Sequence, residues 1–125
     1  MKKLFATIFV ILVLIPMSSR AEFVNDFECT LNKGYTVPQL YAFQQEWMVA
    51  ARKHGFDAAN YNTRLWFPAY NNDTRTDPMF FVWRGTFGDG IVLGKMLDWF
   101  PTSEWAGKFA AVMNCGKASL WIAPQ

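Results

Sequence analysis

Met79-Phe80-Phe81-Val82-Trp83-Arg84-Gly85-Thr86-Phe87-Gly88-Asp89-Gly90 is the stretch whose reading decides the architecture. Its β-branched and aromatic residues leave both alternating faces apolar, the pattern of a strand in the middle of a sheet. Phe81, Trp83, Gly85 and Phe87 fall on one face, and Phe80, Val82, Arg84 and Thr86 on the other. At least one of those faces needs a covering layer.

Upstream of this strand, Asn71-Asn72-Asp73-Thr74-Arg75-Thr76-Asp77-Pro78 is a turn-forming loop, and the aromatic-rich run from Arg64 to Tyr70 before it reads as a partner strand. The two should make a hairpin. Pro68 lacks a ladder donor, which places the partner at a sheet edge or beside a bulge. Further back, Thr36-Val37-Pro38-Gln39 has the form of a capping box. Leu40, Phe43, Trp47, Ala50 or Ala51, and His54 then recur at helical spacing, and Gly55 supplies the stop. Phe27, Cys29 and Leu31 alternate with Glu28 and Thr30 in a half-buried strand between Glu22 and Leu31.

Downstream, Ile91, Val92, Leu93, Met96, Leu97 and Phe100 suit a short helix that breaks before Pro101. A second helical segment, capped by Thr102 or Ser103, carries Trp105, Phe109, Val112 and Met113 and should close at Gly116, just beyond Cys115. Lys117 to Ala123 reads as a last short strand. Strand, helix, strand, strand, helix, strand is an α+β order, the ferredoxin-like βαββαβ plan: a four-stranded antiparallel sheet with both helices on one face.

The amino terminus has Lys2 and Lys3, an apolar run from Leu4 to Ile15, and a polar stretch ending in Ser19-Arg20-Ala21. This is the pattern of a secretory signal cut after Ala21, and the run falls short of the ~20 residues of a membrane span. Residues 22–125 should then form a single domain. Losing Lys2, Lys3 and Arg20 takes the formal charge from +2 to −1. No basic stripe remains for nucleic acid. Cys29 and Cys115 are the only cysteines, and in an exported chain they should pair. No CxxC spacing accompanies them and His54 is the single histidine, so no metal site is expected.

If Cys115 ends the second helix, Cys29 must look toward the helices together with Phe27 and Leu31. Glu28 and Thr30 then point to the helix-free face. Placing the Phe81, Trp83, Gly85 and Phe87 set on the helix side puts Phe80, Val82, Arg84 and Thr86 with them.

This order of elements, with Trp83-Arg84-Gly85-Thr86-Phe87 leading into a helix, resembles the dimeric α/β-barrel superfamily of ferredoxin-like domains, and small exported bacterial members of uncharacterised function in particular. The resemblance spans about Glu22 to Gln125 at the level of topology. It implies a homodimer in which two sheets pack by their helix-free faces. Members include antibiotic-biosynthesis-type monooxygenases, haem-handling enzymes and proteins with no known activity.

Glu28 and Arg84 are set to pair on that helix-free face. The pair is a structural or dimer contact in the plainest reading, an anion-recognising site through the forked guanidinium in a sharper one, and a catalytic pair in a third. Phe67, Phe80 and Tyr70 are the aromatics expected to stay exposed there and to mark a partner surface or ligand cavity. The candidate ligand-binding set is therefore Glu28, Thr30, Arg84, Phe80 and Phe67. His54, near a helix end and three residues from Asp57, is a packing or helix-end residue, with axial haem ligation or general-base chemistry as the alternative. Asn72-Asp73-Thr74 matches a glycosylation acceptor but reads as loop chemistry. The expectation is an exported, disulfide-bonded, dimeric binding module for a small apolar or amphipathic ligand, without a cofactor. Alternatives are an oxidoreductase of the superfamily, with haem as its possible cofactor, and a structural partner in an envelope assembly.

Overall fold

The computed structural model describes residues 21–68 and 79–124. Among the described residues there are four strands and three helices. They are β1 (Ala21–Leu31), α1 (Val37–Lys53), β2 (Tyr61–Trp66), β3 (Phe80–Phe87), α2 (Gly90–Trp99), a 3-10 turn (Phe100–Thr102), α3 (Glu104–Val112) and β4 (Met113–Pro124). The strands form one antiparallel sheet in the order β2-β3-β1-β4.

The expected central strand is central. β3 lies between β2 and β1, and Phe81, Trp83, Gly85 and Phe87 are all buried. β2 is an edge strand and pairs with β3 as a hairpin, but it runs from Tyr61 to Trp66 instead of Arg64 to Tyr70. It ends before Pro68, whose missing N–H stops the ladder. Tyr61 starts it because α1 fastens that point: the Arg52 guanidinium donates to the carbonyls of Phe56 and Tyr61 at 2.9 and 2.7 Å and to Asn62 Oδ1 at 3.0 Å. Tyr70 and the Asn72-Asp73-Thr74 tripeptide lie outside the described residues.

The capping box at Thr36 forms as read. Its backbone N–H donates to Gln39 Oε1 at 2.8 Å and its hydroxyl accepts from the Gln39 N–H at 3.3 Å. α1 buries Leu40, Phe43, Trp47 and Ala51, and Gly55, at φ +101°, turns the chain away after it. His54 is the C-cap and stands exposed instead of continuing the buried face. Asp89 caps α2 by accepting from the Val92 N–H at 2.9 Å. Ser103 occupies the N-cap of α3, but its hydroxyl donates to the Phe100 carbonyl instead of capping.

The second helical segment corrects the reading of Cys115. α3 stops at Val112 and Cys115 lies in β4, directly opposite Cys29 in the ladder. Two interactions end the helix early. The Asn32 side-chain amide donates to the carbonyls of Ala110 and Ala111, and the Asn32 backbone N–H donates to that of Val112. From Met113 onward the backbone is taken up by the edge of β1. Cys29 and Cys115 form the expected disulfide, closing a separation of 86 residues. A register shift between Glu28 and Cys29 leaves Gly116 as the extra residue beside it.

The core is aromatic and continuous. Phe43 from α1 and Phe109 from α3 both meet the indole of Trp83, at centroid distances of 6.3 and 4.9 Å, and each other at 4.8 Å. Trp47 lies beyond them with Trp99, Phe100 and Trp105 around it. Its indole N–H donates to the Tyr61 hydroxyl at 2.9 Å. Among the described residues no helix is long and apolar enough to cross a membrane.

Candidate functional site

The candidate residues and the cleft lie on two surfaces of the sheet. On the sheet face opposite Phe81 and Trp83, Asp26 of β1 stands opposite Arg84 of β3, and Glu28 stands opposite Val82, two residues along. Arg84 Nε donates to Asp26 Oδ1 at 2.7 Å and Nη2 to Oδ2 at 2.9 Å, a bidentate pair. The expected Glu28 partnership is therefore corrected to Asp26. Alternation assigns a carboxylate to a face but not to a register, and both residues share the face. Glu28 lies exposed between Val82 and Lys117. Across the other edge, Arg84 faces Arg64 in the ladder, a like-charge opposition that favours its leaning toward Asp26. Its guanidinium carbon also lies 5.2 Å from the ring centre of Trp66. The hydrogen bond to Asp26 raises the Arg84 pKa further above its ordinary value.

Thr30 and Phe80 are cross-strand neighbours, and Phe80 is exposed. Phe67 is not with them. It packs 6.0 Å from Tyr41 of α1 and 6.0 Å from the fully buried Phe81, so it belongs to the helix side. Alternation along β2 turns Tyr61, Thr63 and Leu65 inward and Asn62, Arg64 and Trp66 outward, so Phe67 falls with the inward set and Trp66, not Phe67, shares the face of Phe80.

A larger concavity lies on the helix side, where a cleft of about 570 Å³ opens between the sheet and the α2–α3 segment. Trp83, Phe87 and Phe27 line its sheet wall, and Met96, Phe100 and Phe109 its helix wall. It exists because several positions that a larger side chain would fill carry small ones: Gly85 on β3, and Ala106 and Ala110 on α3. The 3-10 turn at Pro101 separates two short helices where one longer helix would lie across the sheet. Asn25, cross-strand from Gly85, brings an amide into the wall, and Asn32 and Asn114 bring two more. None of Glu28, Thr30, Arg84, Phe80 and Phe67 lines this cleft. It was not legible from motif reading, because Gly85, Ala106 and Ala110 carry no chemical signature. The one available signal was Asn25, a polar residue in the same row as Phe27 and Cys29.

His54 lies in neither place. Its imidazole stacks on Trp99 with ring centres 4.0 Å apart and planes 10° apart, above a shallow depression that Lys95 and Asp98 share. Among the described residues, no group of three or more His, Cys, Asp or Glu side chains is placed to hold a metal ion. No protein-family model, curated protein or solved structure matches the chain.

Proposed function

We propose that the chain is an exported binding module that takes a small apolar or amphipathic molecule into the cleft between the sheet and α2–α3. The cleft itself carries this reading. At about 570 Å³ it is the size of sites that enclose drug-sized ligands, and apolar side chains make up most of its walls. Its lining offers apolar contact and amide hydrogen bonds, with no free thiol, carboxylate or histidine among the described residues. Export rests on the leader-like pattern of residues 1–21, and a disulfide in a small domain is consistent with it.

The strand order β2-β3-β1-β4 and the meeting of Phe43 and Phe109 on Trp83 support the ferredoxin-like plan, with the opposite sheet face left for a second copy of the chain. On that face Trp66 and Trp121 are 47% and 60% exposed. Exposed indoles on a sheet are the composition of an interface core.

The test of binding is a fluorescence titration of protein recovered from a bacterial periplasm with the neutral probe N-phenyl-1-naphthylamine. Saturable binding is expected in the micromolar range, together with its loss in Ala110→Trp, which fills the cleft from an exposed helix position. No saturation, or full binding by that variant, overturns the reading. Sedimentation equilibrium tests the dimer separately. A monomer throughout the range to tens of micromolar removes it.

A further inference from the structure

We infer that the occupant of this cleft is an uncharged, ring-bearing molecule with one hydrogen-bonding group met by the side-chain amide of Asn25; the inference rests on the binding reading above and narrows it to a chemical class.

Charge is the first discriminator. No lysine, arginine, histidine, aspartate or glutamate lines the cleft among the described residues. An anionic headgroup drawn into such a site gives up its hydration and meets no countercharge, and a cationic one meets no carboxylate. The chain has such groups, but they stand elsewhere: Arg84 is committed to Asp26 on the opposite face, and Lys108 pairs with Glu104 on α3. Among the described residues the one ionisable group that reaches the cleft is Tyr61, whose hydroxyl accepts from Trp47 in the core.

Hydrogen bonding is the second. Of the three asparagines at the cleft, Asn32 spends its amide N–H groups on the carbonyls of Ala110 and Ala111. Asn114 stands exposed at the rim, whereas Asn25 is half-buried in the row of Phe23 and Phe27, where an apolar side chain would pack better. Its β3 neighbour is Gly85, so no side chain on that strand stands between its amide and the cleft. An amide so placed both donates and accepts, and suits a hydroxyl, carbonyl or amide on the ligand. Shape is the third. Trp83, Phe87, Phe100 and Phe109 present ring faces and edges, which favour a flat partner.

Two probe pairs test this. N-phenyl-1-naphthylamine and 8-anilinonaphthalene-1-sulfonate share one ring system and differ by a sulfonate. The neutral probe should bind at least about tenfold more tightly, with an affinity flat from about pH 5 to 9. In Asn25→Lys, which supplies the missing countercharge, the preference should shrink or reverse. Naphthol should displace the neutral probe about tenfold better than naphthalene does, and Asn25→Leu should erase that gap. Equal affinities for the neutral and sulfonated probes overturn the charge inference while leaving the cleft standing. A naphthol advantage that survives in Asn25→Leu overturns the role of Asn25. Failure of the neutral probe to bind at all defeats the binding reading itself, which keeps the two failures apart.

Discussion

Arg84 and Asp26 grip each other with two parallel hydrogen bonds across the central pair of strands, and the guanidinium also lies against Trp66. Asp26 keeps only 15% of its side-chain surface exposed. Such a pair fixes register, because a slip of two residues would bring Glu28 to Arg84 and leave Asp26 without its partner. We expect Asp26→Ala to lower stability by about 1–2 kcal/mol and Glu28→Ala to change it by less than about 0.5 kcal/mol. Urea denaturation of the two variants checks the order, and an equal effect from both would contradict the register.

The Cys29–Cys115 bridge joins the first and last strands at the point where their ladder shifts register. Cys29 is 1% exposed, whereas Cys115 is open to solvent at the rim of the cleft. Closing a loop of 86 residues removes unfolded-state entropy equivalent to about 4–5 kcal/mol in the chain-entropy picture. Replacing both cysteines by alanine should therefore shift the urea midpoint strongly downward without changing the far-ultraviolet circular dichroism of the folded state. β4 should also exchange its amide hydrogens faster than in the bridged protein, since this edge strand is then held to β1 without the covalent tie.

What could be read without coordinates followed from alternation and capping. The buried set Phe81, Trp83, Gly85 and Phe87, the capping box at Thr36 and the edge position of β2 each depend on local periodicity or local hydrogen bonds. The inward facing of Cys29 does not depend on its partner ending a helix. Cys115 is not at a helix end, yet a cross-strand bridge to β4 also accommodates Cys29 on the inward face. Register, by contrast, depends on pairing between distant segments, so alternation alone does not distinguish Asp26 from Glu28 as the partner of Arg84. The cleft depends on small side chains at Gly85, Ala106 and Ala110, whose contribution is the space they leave.

Tyr61 makes stability sensitive to alkali. Burial pushes its hydroxyl well above the ordinary phenol value, against the smaller opposing effects of the Trp47 hydrogen bond and the nearby Arg52 charge. In the unfolded chain the same phenol ionises near pH 10. Above that pH unfolding releases a proton that the fold retains, so the stability present in full below it falls by about 1.4 kcal/mol per pH unit from this group. Tyr61→Phe should be less stable at neutral pH by about 1–3 kcal/mol, because the Trp47 indole N–H loses its acceptor. Its stability should nevertheless decline less steeply between about pH 10 and 11.5, as measured by urea midpoints at each pH. Parallel pH profiles for the two proteins would contradict the assignment.

Gly85 and Gly94 separate cleft shape from backbone effects. A Cβ at Gly85 would lie 3.4 Å from the Phe87 ring and 3.6 Å from that of Tyr61, in the wall of the cleft, whereas one at Gly94 within α2 would meet nothing within 4 Å. Gly85→Val carries its added methyls into the space beside Asn25 and should weaken binding of the neutral naphthylamine probe by at least about tenfold, since even one methylene in a filled pocket changes affinity by that order. Gly94→Ala removes backbone freedom from the unfolded chain at a helix-interior position and should raise stability by about 0.5–1 kcal/mol with probe affinity unchanged. Because Gly85→Val also presses on the Tyr61 and Phe87 rings, its urea midpoint must be read beside its affinity. A fold still cooperative and saturable by the probe at native strength would mean that the molecule binds elsewhere than along β3.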